Sequence, residues 1–257
     1  MKYLYELFES LPRCGPGNNE STRRAFGVIA EPPEQPLILD IGCGPGVQTI
    51  ELAKISDGII TALDNHQPFL DTLLKAARDE GVEKNIVTKN ISMLDMDFGN
   101  NTFDIIWSEG ALYCMGFRNG LRKCRQLLKD GGYLAVSECV YLAPGRPEPV
   151  TKFFDREYPE IKDVKGNIAL IQNEGFSLLS HFTLPESAWL DSYYLPMEEE
   201  LVRLTKKYTG KKIALNVFEQ ARHEIEIYKK YSRFYGYEFF IMRKTNLPSG
   251  KFPRQGK

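Results

Sequence analysis

The chain has 257 residues, 42% of them hydrophobic and 26% charged, the composition of a soluble globular protein of one large domain or one domain with an insertion. Thirty-three lysines and arginines against 34 aspartates and glutamates leave a net charge of −1, without the basic footprint of a nucleic-acid binder. The five cysteines (Cys14, Cys43, Cys114, Cys124 and Cys139) include no CxxC pair, so the usual zinc spacings are missing and a disulfide framework is not indicated.

The first segment, MKYLYELFES, is amphipathic and helical in pattern, with no apolar core of signal-peptide length. No window approaches the roughly 18 continuous apolar residues of a membrane span, so a cytoplasmic, reduced protein with no membrane partner is expected. Pro12 stands near the end of this segment and is followed by CGPG at 14–17. Asn18, Asn19 and Ser21 then offer N-caps for a helix over TRRAFGVIA. The glycines of this first CGPG read as punctuation between two helices.

From Leu37 to about Val140, short β-branched runs alternate with helical patterns. Strands are expected at 37–41, 58–64, 85–91, 103–109 and 133–139. Between them, Phe69, Leu70, Leu73, Leu74 and Ala77 form one apolar helical stripe, and Leu121, Cys124, Leu127 and Leu128 another that Gly131-Gly132 ends. Strands and helices alternating at this spacing imply parallel βαβ units and a doubly wound α/β sheet. After Tyr141 the rhythm changes. LAPGRPEP leads away from the fifth strand, and 175–185 and 237–245 read as two further strands. The fifty or so residues between these two are helical, with Leu215, Phe218, Ala221, Ile225, Tyr228 and Ser232 on one face of a long helix. That insertion is expected to cap the sheet. KKYTGKK (206–212) reads as a solvated helix end, and the polar tail NLPSGKFPRQGK is expected to fray.

A second CGPG, at 43–46, lies between the strand LILDI and the helix VQTIELAKI, the context in which a glycine loop becomes a credible ligand site. Gly42, Gly44 and Gly46 allow a tight turn and close approach of a ligand to the backbone. A dinucleotide fingerprint requires a third glycine at 47, where Val47 stands. Asp40, at the strand end, would repel a pyrophosphate and suits a ligand bearing an ammonium group. Asp64 ends the second strand, where doubly wound folds place an acid on the ribose hydroxyls; an N-cap role for Asp64, Asn65 or Gln67 is the alternative. A ribose-bearing, zwitterionic, phosphate-free ligand such as S-adenosylmethionine fits this pattern.

The ordered motifs DIGCGPG, LDNHQPFL, ISMLDMDF, FDIIWSEGALYCMGF and LLKDGGYLAVSE resemble those of the class I S-adenosylmethionine-dependent methyltransferases over residues 37–140. GPGNNESTRRA and FYGYEFFI further resemble a bacterial small-molecule branch of that family. The resemblance implies a Rossmann-like seven-stranded sheet of order 3-2-1-4-5-7-6 with strand 7 antiparallel, here with a helical cap insertion before that strand. That insertion departs from the family, which has a hairpin there, and leaves the substrate pocket outside what the resemblance implies. A single domain is expected, with an N-terminal helical lid (1–36), a cofactor-binding core (37–140), a substrate cap (141–160 and 186–236) and a last strand (237–245). Carried over, Asp40, Gly42, Gly44 and Gly46 hold the methionine moiety and ribose, and Asp64 binds the ribose. Asn65, Ser92 and Met93 lie by the adenine, with Asn90 and Asp95 competing for the role of Ser92. Ser108 and Glu109 lie beside the sulfonium. The resemblance also gives the first CGPG turn a second reading, as a lid that brings Arg13 to the methionine carboxylate.

Methyl transfer is an in-line displacement that needs alignment, exclusion of water and, for an acceptor carrying a proton, a base. Candidate catalytic groups are Glu109, Tyr113 and Glu138. Glu109 can equally hold the cofactor, Tyr113 can be core, and Glu138 can face solvent. Trp107, Tyr141, Trp189, Tyr193 and Tyr194 either line an apolar or cation-binding pocket or form core. His66, His181 and His223 form no cluster with acids or cysteines, and no metal is expected. SEGA stands where an exocyclic-amine nucleic-acid methylase has N/D-P-P-Y/F, and a Pro-Cys nucleophile is missing, so a small-molecule acceptor is expected. A nicotinamide-dependent oxidoreductase and a non-catalytic S-adenosylmethionine-binding protein are the alternatives. Oligomeric state is not legible in the sequence.

Overall fold

The computed structural model describes residues 2–245, so the polar tail lies outside the described residues. Two helices, α1 (Lys2–Phe8) and α2 (Asn19–Phe26), precede the sheet. Asn18 caps α2, its side chain accepting the Ser21 N–H at 2.8 Å, while Asn19 and Ser21 lie inside the helix. Strands and helices then alternate as the hydrophobic pattern predicts: β1 (Leu37–Ile41), α3 (Val47–Ile55), β2 (Ile59–Asp64), α4 (Gln67–Asp79), β3 (Ile86–Asn90), β4 (Phe103–Glu109), α5 (Phe117–Leu127) and β5 (Leu128–Tyr141). Strand β5 starts five residues before the expected Tyr133, because Leu128 already pairs with Phe103. The buried Lys244 ammonium accompanies this early start, donating to the Leu128 carbonyl at 2.6 Å.

The second half is richer in helix. It comprises α6 (Glu148–Glu157), a two-residue β6 (Lys162–Asp163), α7 (Val164–Asn173), β7 (Phe176–Thr183), α8 (Glu186–Trp189), α9 (Leu195–Lys207), α10 (Lys212–Tyr231) and β8 (Tyr235–Lys244). The strand order is β3-β2-β1-β4-β5-β8-β7, with β8 antiparallel to both neighbours and β6 pairing only with the end of β5. Leaving β6 aside, this is the order 3-2-1-4-5-7-6 that the resemblance implies. The insertion α8–α10 carries the chain back so that its last strand enters between β5 and β7. The basic run 206–212 ends α9 and starts α10 on the surface, as its charge pattern predicts.

Alternation along the strands divides the core between the two sheet faces. Ile38, Trp107, Cys139 and Phe239 pack on the face covered by α1, α2 and the insertion, while Leu39, Ile106, Val136 and Phe240 pack against α5 and α7. Because β1, β2, β4 and β5 are parallel, their carboxyl ends share one edge of the sheet. In open α/β sheets that edge is where ligands bind.

Candidate active site

A cavity of about 350 Å³ opens at this edge, lined by residues that include Gly42, Cys43, Gly44, Asp64, Asn65, Ser92, Met93 and Glu109. The glycine loop is a close-packed cradle. Gly42 has φ +70, and a methyl group on it would lie 2.4 Å from Ala111 Cβ. Gly46 has φ +85 and would drive a methyl group into the buried Leu73, 2.3 Å from its Cδ1. Asp64 accepts the Gly44 N–H at 2.9 Å and the His66 N–H at 3.0 Å. Burial pushes its carboxyl above the ordinary range, and these backbone bonds offset part of the effect. The N-cap of α4 is His66 and makes no side-chain cap bond, so Asp64 faces the cavity rather than serving as that cap. Ser92 accepts the Leu94 N–H at 3.1 Å and lines the cavity with Met93; Asn90 is instead bonded to Gln67 at 2.9 Å.

Four expected site residues lie behind the walls. Asp40 is fully buried and lines neither this cavity nor the second one. Its Oδ2 accepts from the Thr49 hydroxyl at 2.6 Å and from the Gln48 amide at 3.3 Å, and its Oδ1 has no partner. Burial pushes its pKa up to about 7. Gly46 forms the start of α3 against α4, one layer below the ligand space. Ser108 is buried, its hydroxyl donating to the Ile41 carbonyl at 2.9 Å, which ties β4 to β1. Glu138 faces neither pocket nor solvent. It is 1% exposed on the strand face it shares with Val136 and Val140, because alternation puts Cys139, not Glu138, toward the insertion. Neither of its carboxyl oxygens makes a hydrogen bond of ordinary geometry. Burial raises its pKa to about 8, and the nearby Tyr158 hydroxyl and Cys139 N–H offset this only in part.

Glu109 lines the cavity and accepts three hydrogen bonds. It accepts from Arg13 Nη1 at 3.1 Å, the Thr22 hydroxyl at 2.8 Å and Trp107 Nε1 at 2.9 Å. These bonds hold the N-terminal segment on the end of β4. Arg13 also donates to Asn19 at 2.8 Å, and Asn19 and Arg23 both donate to the buried Glu51 of α3. Gly17 N–H reaches the Ala188 carbonyl of the insertion at 3.1 Å. The first CGPG therefore stands over the second, since a methyl group on Gly44 would lie 3.6 Å from Cys14 Sγ. Reading the first copy as punctuation alone does not hold; it is also a wall of the cavity.

A second cavity of about 260 Å³ shares Cys14, Gly15, Pro16 and Gly110 with the first. Trp189, Tyr193 and Tyr194 line it, as does Tyr113, whose ring centre lies 5.5 Å from that of Tyr158. Trp107 is core, and Tyr141 carries Arg146 over its ring at 3.9 Å. Among the described residues no group of three or more His, Cys, Asp or Glu side chains is placed to hold a metal ion, and no helix is long and apolar enough to cross a membrane.

Residues 38–132 match the family model described as "Methyltransferase domain". Over those residues the chain is similar to the methyltransferases that this model describes. Over 181 residues it is 25% identical to a sterol 24-C-methyltransferase of Neurospora crassa, covering 64% of this chain and 45% of that one. It is 24% identical to the 27-O-demethylrifamycin SV methyltransferase of Amycolatopsis mediterranei, covering 74% of this chain and 69% of the relative. The chain thus spans about half the length of the sterol methyltransferases it matches. In fold it is similar to a methyltransferase from Geobacter sulfurreducens solved in complex with S-adenosyl-L-homocysteine, with a TM-score of 0.81, 18% identity and coverage of 94% and 97%.

The first cavity fits S-adenosylmethionine. It offers a backbone cradle without side chains at Gly42 and Gly44, one carboxylate at the end of β2, and Arg13 as its one lining lysine or arginine. The residues that sequence reasoning missed belong to the second cavity: Phe153, Phe154, Tyr158, Glu224, Tyr235 and Tyr237. For Glu224 a signal existed. It falls three residues after Ala221 and four before Tyr228, so a carboxylate interrupts the apolar face of α10.

Proposed function

We propose that this protein transfers the methyl group of S-adenosylmethionine to a small molecule held in the second cavity. One observation carries the reading: the glycine-cradle cavity and the aromatic cavity meet along a common wall at Cys14–Pro16 and Gly110. Bound in the first cavity, S-adenosylmethionine supplies an electrophilic methyl group on a sulfonium. Asp64 would take the ribose hydroxyls, Asn65, Ser92 and Met93 the adenine side, and the 42–45 loop with Arg13 the amino-acid portion. Residues 1–36 act as a lid, held down by Glu109 and Glu51, and exclude water from the junction. The cap segments 141–160 and 186–236 supply most of the acceptor wall. Glu109 positions Arg13, Glu138 lies outside the chemistry, and Tyr113 faces the acceptor.

The rifamycin and sterol relatives act on small molecules by their names, and the near-neutral charge of this chain supports a small acceptor over a nucleic acid. Five free cysteines support a reducing, cytoplasmic setting. Calorimetry with S-adenosylmethionine and with NAD tests the donor, and a metabolite screen for S-adenosylhomocysteine production tests the transfer. Saturable S-adenosylmethionine binding with production of S-adenosylhomocysteine is expected; binding of NAD alone would overturn the reading.

A further inference from the structure

The chemistry of the second cavity identifies the acceptor class, an inference that rests on the methyl-transfer reading above. Its lining includes Glu157 and Glu224 but no lysine, arginine or histidine. Glu157 is exposed and lies beside Arg156, at 2.6 Å. Glu224 has no cationic partner among the described residues; it accepts only the Tyr194 hydroxyl, at 3.1 Å. Burial pushes its pKa up to about 7. Trp189, Tyr193, Tyr194 and Tyr237 contribute aromatic surface. Tyr235 is 2% exposed, lines the same space, and its hydroxyl has no hydrogen-bond partner.

An unpaired carboxylate, an unused phenol oxygen and a set of ring faces attract the same guest, a cation or an N–H donor. An anionic acceptor would meet Glu224 with no compensating positive group. A wholly apolar acceptor would desolvate Glu224 with only the Tyr194 hydroxyl on it and leave the Tyr235 hydroxyl unsatisfied. The volume of about 260 Å³ lies just below the usual range for drug-sized ligands, so the guest is small. We propose that the acceptor is a small amine, held by Glu224 and the Tyr235 hydroxyl against the aromatic wall and methylated on nitrogen.

The amine reacts as its free base, having lost its ammonium proton to water. Its lone pair forms the N–C bond as the C–S bond breaks, and that electron pair stays on sulfur, giving neutral S-adenosylhomocysteine and an N-methylammonium. Positive charge therefore moves from the sulfonium into the acid-lined cavity, where the carboxylate and ring faces stabilise it as it develops.

Choline, and its neutral isostere in which a tert-butyl group replaces the trimethylammonium, are suitable probes for the full-length chain, read by Trp189 fluorescence. Choline should bind at least about tenfold more tightly than the isostere. Glu224→Gln should abolish that preference while leaving S-adenosylmethionine affinity by calorimetry unchanged. Tyr235→Phe, which removes only an unpaired hydroxyl, should stay folded and weaken choline. Turnover with a panel of primary and secondary amines should yield S-adenosylhomocysteine and N-methylated products. Equal binding of the two probes, choline binding that is indifferent to Glu224→Gln, or turnover confined to phenols, thiols or alkenes would overturn the proposal. Choline discrimination without any S-adenosylmethionine binding would instead overturn the methyl-transfer reading and leave the cation site standing.

Discussion

Removal of Glu109 tests whether it acts as a clamp or as a base. Glu109 and Arg13 are both nearly excluded from solvent, with side chains 5% and 7% exposed. Glu109→Ala leaves the Arg13 guanidinium buried with only Asn19 as a named acceptor, strips Trp107 Nε1 of its acceptor and leaves the Thr22 hydroxyl only the Asn18 carbonyl. Breaking a buried pair from one side costs about 3–5 kcal/mol. Arg13→Ala is milder, because Glu109 keeps two neutral donors; the loss of one charged hydrogen bond there is worth about 1.5–3 kcal/mol. The double variant leaves no orphaned guanidinium, so it should be little worse than Glu109→Ala alone, with a coupling of about 1 kcal/mol or more. Denaturant titration of all four chains measures the cycle, and hydrogen exchange across α2 locates the effect. A base facing an open site could be removed at little cost in stability. Loss of turnover by Glu109→Ala with unchanged stability and unchanged exchange in α2 would therefore refute the clamp and restore the base.

Three further outcomes follow from the same geometry. Asp64→Ala should weaken S-adenosylmethionine by about 2–3 kcal/mol, or roughly 30- to 150-fold by calorimetry, for the loss of charged hydrogen bonds to the ribose. Gly46→Ala combines φ +85 with atoms of the buried Leu73 at 2.3, 2.8 and 2.9 Å and should cost about 2–5 kcal/mol in urea unfolding; Gly145→Ala, at φ +68 with open space around it, should cost only about 1–2 kcal/mol. Glu138 keeps its proton in the folded chain up to about pH 8, whereas an unfolded glutamate loses it near pH ~4.3. The folded state then holds more protons between those values, so its contribution is fully present below about pH 4 and falls as pH rises toward about 8. Glu138→Gln should flatten that decline in urea midpoints measured across the range, with its largest relative gain in alkali.

The sheet was legible because its signal is local and repeated. LILDI or FDIIWSE can only be a buried strand at this spacing, and each helix stripe between them announces its inward face. Even the late antiparallel strand followed from the resemblance. Side-chain destination at strand ends was harder to read. Asp40, Ser108 and Glu138 all stand at the carboxyl edge by sequence, yet all three are buried behind the walls, Asp40 and Ser108 held there by hydrogen bonds. A one-residue step reverses direction on a strand, and near Glu138 it is Cys139 that faces the insertion. The acceptor cavity was hardest to read, since its lining comes from β5, α6, the 189–194 turn, α10 and β8, segments far apart in the chain.

The two CGPG copies show where local reading ends. Sequence context separates them correctly: LILDI makes the second a strand-to-helix cradle, and LPR makes the first a turn between helices. Context cannot tell that the turn lands on the cradle, because that contact depends on two carboxylate anchors far from it in sequence. Arg13 reaches Glu109 across 96 residues, and Asn19 reaches Glu51 across 32. Both anchors are buried acids on core elements meeting donors on a short N-terminal segment. Glycine has a different use in each copy. In the second, Gly44 takes a positive φ of 54 beneath Cys14. In the first, Gly17 lets the chain pass against the Arg13–Glu109 pair, where a methyl group would lie 3.0 Å from Glu109 Oε2. The same tetrapeptide thus builds the floor of the first cavity in one place and its ceiling in the other, and the second cavity begins where that ceiling ends, at Cys14–Pro16.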